Sequence, residues 1–146
     1  PKIDKIAKEG NPEAVTFKRV MLEDGTLDFS FSGTKTGVMN YVHNEQQAGR
    51  EISVPDVAAS FQQAVLDTVV AKVMSATEEY GEDKIVVAGG VAANSRLRVL
   101  MEEAMKEYPE VKLVIPPLSC CTDNAAMIGA AAFREYEAGR RSGWVC

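Results

Sequence analysis

Apolar and polar positions follow several different periods along this chain, and each change of period marks an element. Residues 15–22 and 26–31 are short β-prone runs around Asp24-Gly25, a pattern that predicts a hairpin. Residues 35–46 read as a helix weakened by Gly37. Ser53-Val54-Pro55-Asp56 has the form of a capping box with proline in the first turn, opening a long helix that runs to Tyr80 and stops at Gly81. Within it Val57, Phe61, Val65, Val69 and Val73 recur every four residues, a stripe expected to face a sheet. Beyond Gly81 the pattern predicts strand 84–88, helix 95–107, strand 112–115 and helix 123–138.

The two predicted strands are short, apolar and β-branched, as in parallel sheets covered on both faces, and a right-handed crossover should join them. The expected class is α/β, a parallel βαβα core preceded by a hairpin and helices. Natural open sheets generally have more than two strands, so both edges are expected to be bare, inviting self-association through the sheet edges.

Candidate chemistry gathers where each strand ends. Residues 84–98 read Lys-Ile-Val-Val-Ala-Gly-Gly-Val-Ala-Ala-Asn-Ser-Arg-Leu-Arg, a buried strand that stops at Gly89-Gly90 and turns into a helix capped by Asn94 or Ser95. Ligands of open α/β sheets bind at this carboxyl edge, and two glycines let backbone lie against an adenine or ribose. A tight loop without a ligand has the same local pattern. The second strand also ends in a loop, 116–124, that enters a helix rich in small residues, so polar groups are expected twice on one edge.

Composition narrows the classes. The chain has 146 residues, suited to one domain, and its 16 basic against 21 acidic residues give −5, against a free-standing nucleic-acid binder. A tRNA partner would need a local basic patch, to which Arg96 and Arg98, or Arg134, Arg140 and Arg141, could contribute; basic residues on helix faces are more often only solvated. Cys120, Cys121 and Cys146 are an odd set with a vicinal pair, which fits neither a disulfide framework nor a Cys-x-x-Cys zinc site; they read as small apolar fillers in a reducing compartment, and a cytoplasmic location is expected. No secretory leader is expected from these residues, and they contain no apolar run long enough to span a bilayer, so no membrane partner is expected.

Three longer motifs then occur together: Asp-Phe-Ser-Phe-Ser-Gly-Thr-Lys-Thr at 28–36, Gly-Gly-Val-Ala-Ala-Asn-Ser-Arg-Leu-Arg at 89–98, and Cys-Thr-Asp-Asn-Ala-Ala-Met-Ile at 121–128. With them the chain resembles the threonylcarbamoyl-adenosine tRNA transferase family, called glycoprotease or O-sialoglycoprotein endopeptidase in older usage. Thr34 and Gly37 depart from the leucine and alanine of the family's motif. The resemblance covers only the family's carboxy-terminal part. It implies an incomplete RNase-H-like lobe of the actin, Hsp70 and sugar-kinase superfamily. Residues 1–56 would be a hairpin and helical insertion segment of the second lobe, and residues 57–146 its βαβα half. By the same resemblance the amino-terminal lobe, with its His-x-x-x-His metal motif and glycine-rich phosphate loop, is expected to lie outside this chain.

The activity so implied is transfer of a threonylcarbamoyl group from threonylcarbamoyl-adenylate to N6 of an adenosine in tRNA, with this fragment inactive alone. By the same resemblance Asp4 and Asn94 contact the substrate and Asp123 is a metal ligand, and no catalytic residue is carried over. One iron or zinc ion per full-length protein is expected, not retained by the fragment. The implied partners are tRNA, the adenylate, a paralogous scaffold subunit and an ATPase subunit. The residues alone also admit plainer roles: Asp4 as a solvated charge, Asn94 and Asp123 as helix caps, Lys35 as a structural residue, and His43 as an exposed helix position. An ATP-binding kinase or ATPase of the same superfamily, or a non-catalytic interaction module, would share the Gly-Gly strand end. No His-Glu-x-x-His is present to support a peptidase.

Overall fold

One helix of 27 residues, α3 (Val54–Tyr80), organises the molecule, and its ends form as the sequence predicts. Ser53 has extended backbone and its hydroxyl accepts the Asp56 amide at 3.4 Å, Pro55 fills the first turn, and Gly81 closes the helix. The computed structural model describes residues 2–20 and 25–141. Before α3 come α1 (Lys2–Ala7) and α2 (Ser32–Gln47); after it come β1 (Lys84–Val86), α4 (Ser95–Ala104), β2 (Lys112–Val114) and α5 (Ala125–Glu137). Short 3-10 turns occupy Gly90–Ala93, Met105–Glu107 and Leu118–Cys120.

The class is α/β with a small parallel sheet, as expected. Lys84 lies opposite Lys112, Ile85 opposite Leu113 and Val86 opposite Val114, and the Val87 amide adds one bond to the Val114 carbonyl at 3.0 Å. α2 starts three residues before its predicted position and runs through Gly37 without a break. The predicted helix 95–107 is α4 followed by a tighter turn, and the predicted helix 123–138 starts two residues later. α1 was not foreseen; only Ala7 of its six residues is buried, too short an apolar signal to read.

The 15–31 region differs most from expectation. Neither 15–20 nor 25–31 forms a strand, and Asp24 lies outside the described residues. The backbone here bonds to side chains of the helices instead of to a second strand: the Val15 amide donates to Ser60 Oγ, Thr34 Oγ1 donates to the Lys18 carbonyl, and Lys72 Nζ donates to the Thr26 carbonyl. Phe17 is buried edge-on to Tyr41, 6.0 Å between ring centres, which anchors the segment to α2 and α3.

The core has two clusters. Leu66, Met74, Ile85, Leu97 and Met101 fill the space between α3, α4 and the sheet, with Val69 and Val73 at the rim. Phe17, Val57 and Ala64 form the second, with Phe61 beside them, on the side of α2. The predicted stripe therefore does not face the sheet as a unit. α3 has partners on more than one side and buries polar residues too, among them Ser60, Gln62, Thr68 and Lys72. No residue of α5 is buried. Among the described residues no helix is long and apolar enough to cross a membrane.

Candidate functional site

β1 delivers the chain to Gly89, whose φ of +84° is one that a side chain resists, and the backbone then winds through Gly90–Ala93 into α4. A Cβ placed on Gly89 or Gly90 would meet no atom within 4 Å, so the backbone here borders open space. Asn94 follows with extended backbone and caps α4, its Oδ1 accepting the Leu97 amide at 2.9 Å. Its Nδ2 donates to Gln62 Oε1 of α3 at 2.8 Å. A side-chain amide carries two donor hydrogens and two acceptor lone pairs, so Asn94 retains one of each.

Asp4 arrives at the same place from α1. Its Oδ1 accepts the Ser95 hydroxyl at 2.9 Å and its Oδ2 accepts the Ser95 amide at 3.4 Å, across 91 positions of sequence. The solvated-charge reading of Asp4 is thereby corrected: the carboxylate takes the Ser95 amide in the first turn of α4, where negative charge is favoured. Two of the three residues singled out by resemblance, Asp4 and Asn94, thus meet at the first turn of α4, Asp4 on Ser95 and Asn94 on the Leu97 amide. Arg96 Nε donates to Gln63 Oε1 at 2.9 Å, and beside the cluster lies a cavity of about 220 Å³ lined by Ala7, Pro12, Ala59, Gln62, Gln63 and Arg96. Ligand pockets run to roughly 300–1,000 Å³. This cavity is smaller than that range.

The second strand end is built differently. The chain leaves β2 through Pro116-Pro117 and the Leu118–Cys120 turn, and Asn124 caps α5 by accepting the Met127 amide at 2.9 Å. Asp123 is exposed and does not cap the helix. Among the described residues no group of three His, Cys, Asp or Glu side chains could hold a metal ion. The residues described here therefore do not by themselves fit an iron or zinc site, which takes three or four donors. Cys121 is buried, in keeping with a small apolar filler, whereas Cys120 is exposed; Cys146 lies outside the described residues.

Two other singled-out residues stand apart from this edge. Lys35 and His43 are exposed on α2. The five arginines weighed as a basic patch have partners within the fold: Arg96 with Gln63, Arg98 with backbone carbonyls and Cys121, Arg134 with Glu137 at 3.8 Å, Arg140 with Glu135, and Arg141 over the Tyr136 ring at 4.2 Å. Sequence reading missed Gln62 as a member of the cluster and named Ser95 only as an alternative to Asn94 for the cap of α4. Gln62 had no clear signal, because the adjacent Gln63 reads the same in sequence.

Fold and site together define an α/β protein whose polar groups collect at the carboxyl edge of a parallel strand pair, the edge at which such sheets take ligands. The sequence model of the family TsaD, tRNA N6-adenosine threonylcarbamoyltransferase, matches residues 1–130, and the chain belongs to that family. It is 55% identical over 143 residues to the tRNA N6-adenosine threonylcarbamoyltransferase of Clostridium botulinum strain 657, a match spanning 97% of this chain and 42% of that protein. The proteins of that name from Geobacillus kaustophilus and Bacillus cereus are 50% and 49% identical over 142 residues, each match spanning 97% of this chain and 41% of the relative. The chain therefore spans about two-fifths of the length of the curated relatives it matches.

Proposed function

We propose that this chain is the carboxy-terminal part of a tRNA N6-adenosine threonylcarbamoyltransferase, and that the edge formed by Gly89, Gly90, Asn94 and Asp4 takes the threonylcarbamoyl-adenylate. The observation that carries the reading is that Asp4, through Ser95, and Asn94, through the Leu97 amide, meet at the start of α4, past the carboxyl end of β1. The open backbone at Gly89-Gly90 accommodates a flat ring or sugar face. The spare hydrogen and lone pair of the Asn94 amide suit a ribose or base edge, and the Asp4 carboxylate accepts from hydroxyls. The parallel unit is read as part of an RNase-H-like lobe. The tRNA, a scaffold subunit and an ATPase subunit are the partners proposed for the longer protein, with a cytoplasmic location.

We assign Asp123 as one carboxylate donor to an iron or zinc ion whose other donors lie outside these residues. One carboxylate is too few to retain such an ion. The isolated chain should hold no stoichiometric iron or zinc after dialysis and show no threonylcarbamoyl transfer; either finding would overturn this part of the reading.

The test of the adenylate site uses Asn94→Ser in a longer transferase that carries this segment. Serine keeps a good helix cap but removes the bond to the buried Gln62, so stability should fall by about 1–3 kcal/mol while the fold persists. Loss of the amide should weaken adenylate binding by about 1–3 kcal/mol, roughly 5- to 150-fold in Kd by calorimetry. Adenylate binding by Asn94→Ser equal to that of the parent would leave Asn94 as a cap alone.

A further inference from the structure

Arg98 lies on α4 between the two loops that leave the strands, and it bonds to both. Its Nε donates to the Ala92 carbonyl at 2.7 Å, and its Nη2 donates to the Pro116 carbonyl at 2.7 Å and to Cys121 Sγ at 3.2 Å. Ala92 belongs to the loop with Gly89, Gly90 and Asn94; Pro116 and Cys121 belong to the loop that leads to Asp123. The sheet holds these loops together only at their roots, since its last bond joins Val87 to Val114. Beyond that bond, Arg98 is, among the described residues, the one side chain hydrogen-bonded to both.

The chemistry of the contact suits a fixed spacer. A guanidinium is a planar fork, and its two donors on one edge set two carbonyls at a defined separation; a lysine ammonium is a single point that cannot do the same. Cys121 is only 3% exposed, and its Sγ also lies 3.5 Å from the Pro117 carbonyl, so the acceptor side is itself packed in place.

We propose that Arg98 is a positioning residue for the transfer reaction: it holds the 88–94 loop at a fixed distance from the 115–124 loop, so that an adenylate on the first is kept in register with groups carried by the second. This rests on the adenylate site proposed above. Arg98 acts through the two loops and touches no ligand.

The test is Arg98→Lys in the longer transferase, with Asn94→Ser beside it. Amide hydrogen exchange at Ala92, Asn94, Cys120 and Cys121 should accelerate about tenfold or more in both loops, while Ile85 and Leu113 in the strands keep parental rates. Turnover should fall roughly 10- to 100-fold in kcat with an adenylate KM within about threefold of the parent, because misplacement of a bound reactant costs rate more than affinity. An arginine that serves only stability would lower the melting temperature while each folded molecule kept the parental kcat, and that result overturns the proposal, as does faster exchange confined to one loop. Should Arg98→Lys not fold, Cys121→Ala removes one acceptor and should give a smaller loss of kcat with faster exchange in the same two loops; parental values of both overturn the proposal equally. The exchange measurement needs no turnover, so failure of the adenylate reading, seen as parental binding by Asn94→Ser, is distinguishable from failure of the clamp.

Discussion

Three aspartates that look alike in sequence meet three different settings. Asp123 is exposed, Asp4 lies on the start of α4, and Asp56, in the first turn of α3, accepts the Asn11 amide at 2.8 Å. That bond, aided by the Ser53 hydroxyl, holds the Asp56 carboxyl below the usual carboxylate range. A folded-state pKa below the unfolded one adds stability that is fully present above the unfolded value, about 4, and is lost as pH falls through the folded value. Asp56→Asn should therefore be less stable than the parent at neutral pH, with the gap closing as pH drops below about 4. Urea midpoints across that range check it; a gap that stays constant with pH would show that the charge is not what matters. The Asn94 cap was legible because a cap is a local matter of one side chain and the amide three residues on. The place of Asp4 was legible only through resemblance, since nothing between Lys2 and Lys5 says that a carboxylate will meet Ser95 91 positions later.

At the scale of elements, the features legible in sequence are those with local causes. Ser53, Pro55 and Gly81 bound α3, and the β-branched runs give β1 and β2 to within two residues. Residues 15–20 and 25–31 form no strand because the Asp-Gly signal is also local, whereas the partners of residues 15–20 include Tyr41, Ser60 and Asp67, side chains of helices distant in sequence. The approach of the α1 loop to α3 was likewise unreadable, yet it is tight. A Cβ on Gly10 would lie 2.0 Å from the Pro55 carbonyl oxygen and 2.7 Å from the Asp56 nitrogen. Backbone, not a flexible side chain, would have to yield, so Gly10→Ala should cost about 1–3 kcal/mol in urea unfolding. Gly10 and Asn11 form one contact with the start of α3, and the losses in Gly10→Ala and Asp56→Asn should sum to more than the double variant shows, because neighbours that share a contact do not add. A parental midpoint for Gly10→Ala would mean that the loop moves off α3 at no cost.

For the whole molecule, the distribution of burial is lopsided. The side with α3 and α4 is packed around Met101, while on α5 Ile128, Phe133 and Tyr136 are 62%, 59% and 58% exposed. The two-stranded sheet leaves both of its edges without a strand partner among the described residues, and Val86 on β1 is 62% exposed. Apolar side chains on an unpartnered helix and strand edges with unpaired amides and carbonyls both favour association with whatever matches them. The isolated chain meets nothing but copies of itself. It should therefore self-associate as concentration rises, giving a light-scattering mass of at least two chains, and added salt should not dissolve the association because apolar burial is not screened. The two surfaces can be told apart: a lysine on an edge strand blocks strand addition, so Val86→Lys should return the monomer if β1 is the contact, whereas Phe133→Glu should do so if α5 is. A stable monomer of the parent at high concentration would count against both surfaces, and association that persists in both variants would move the contact to the β2 edge.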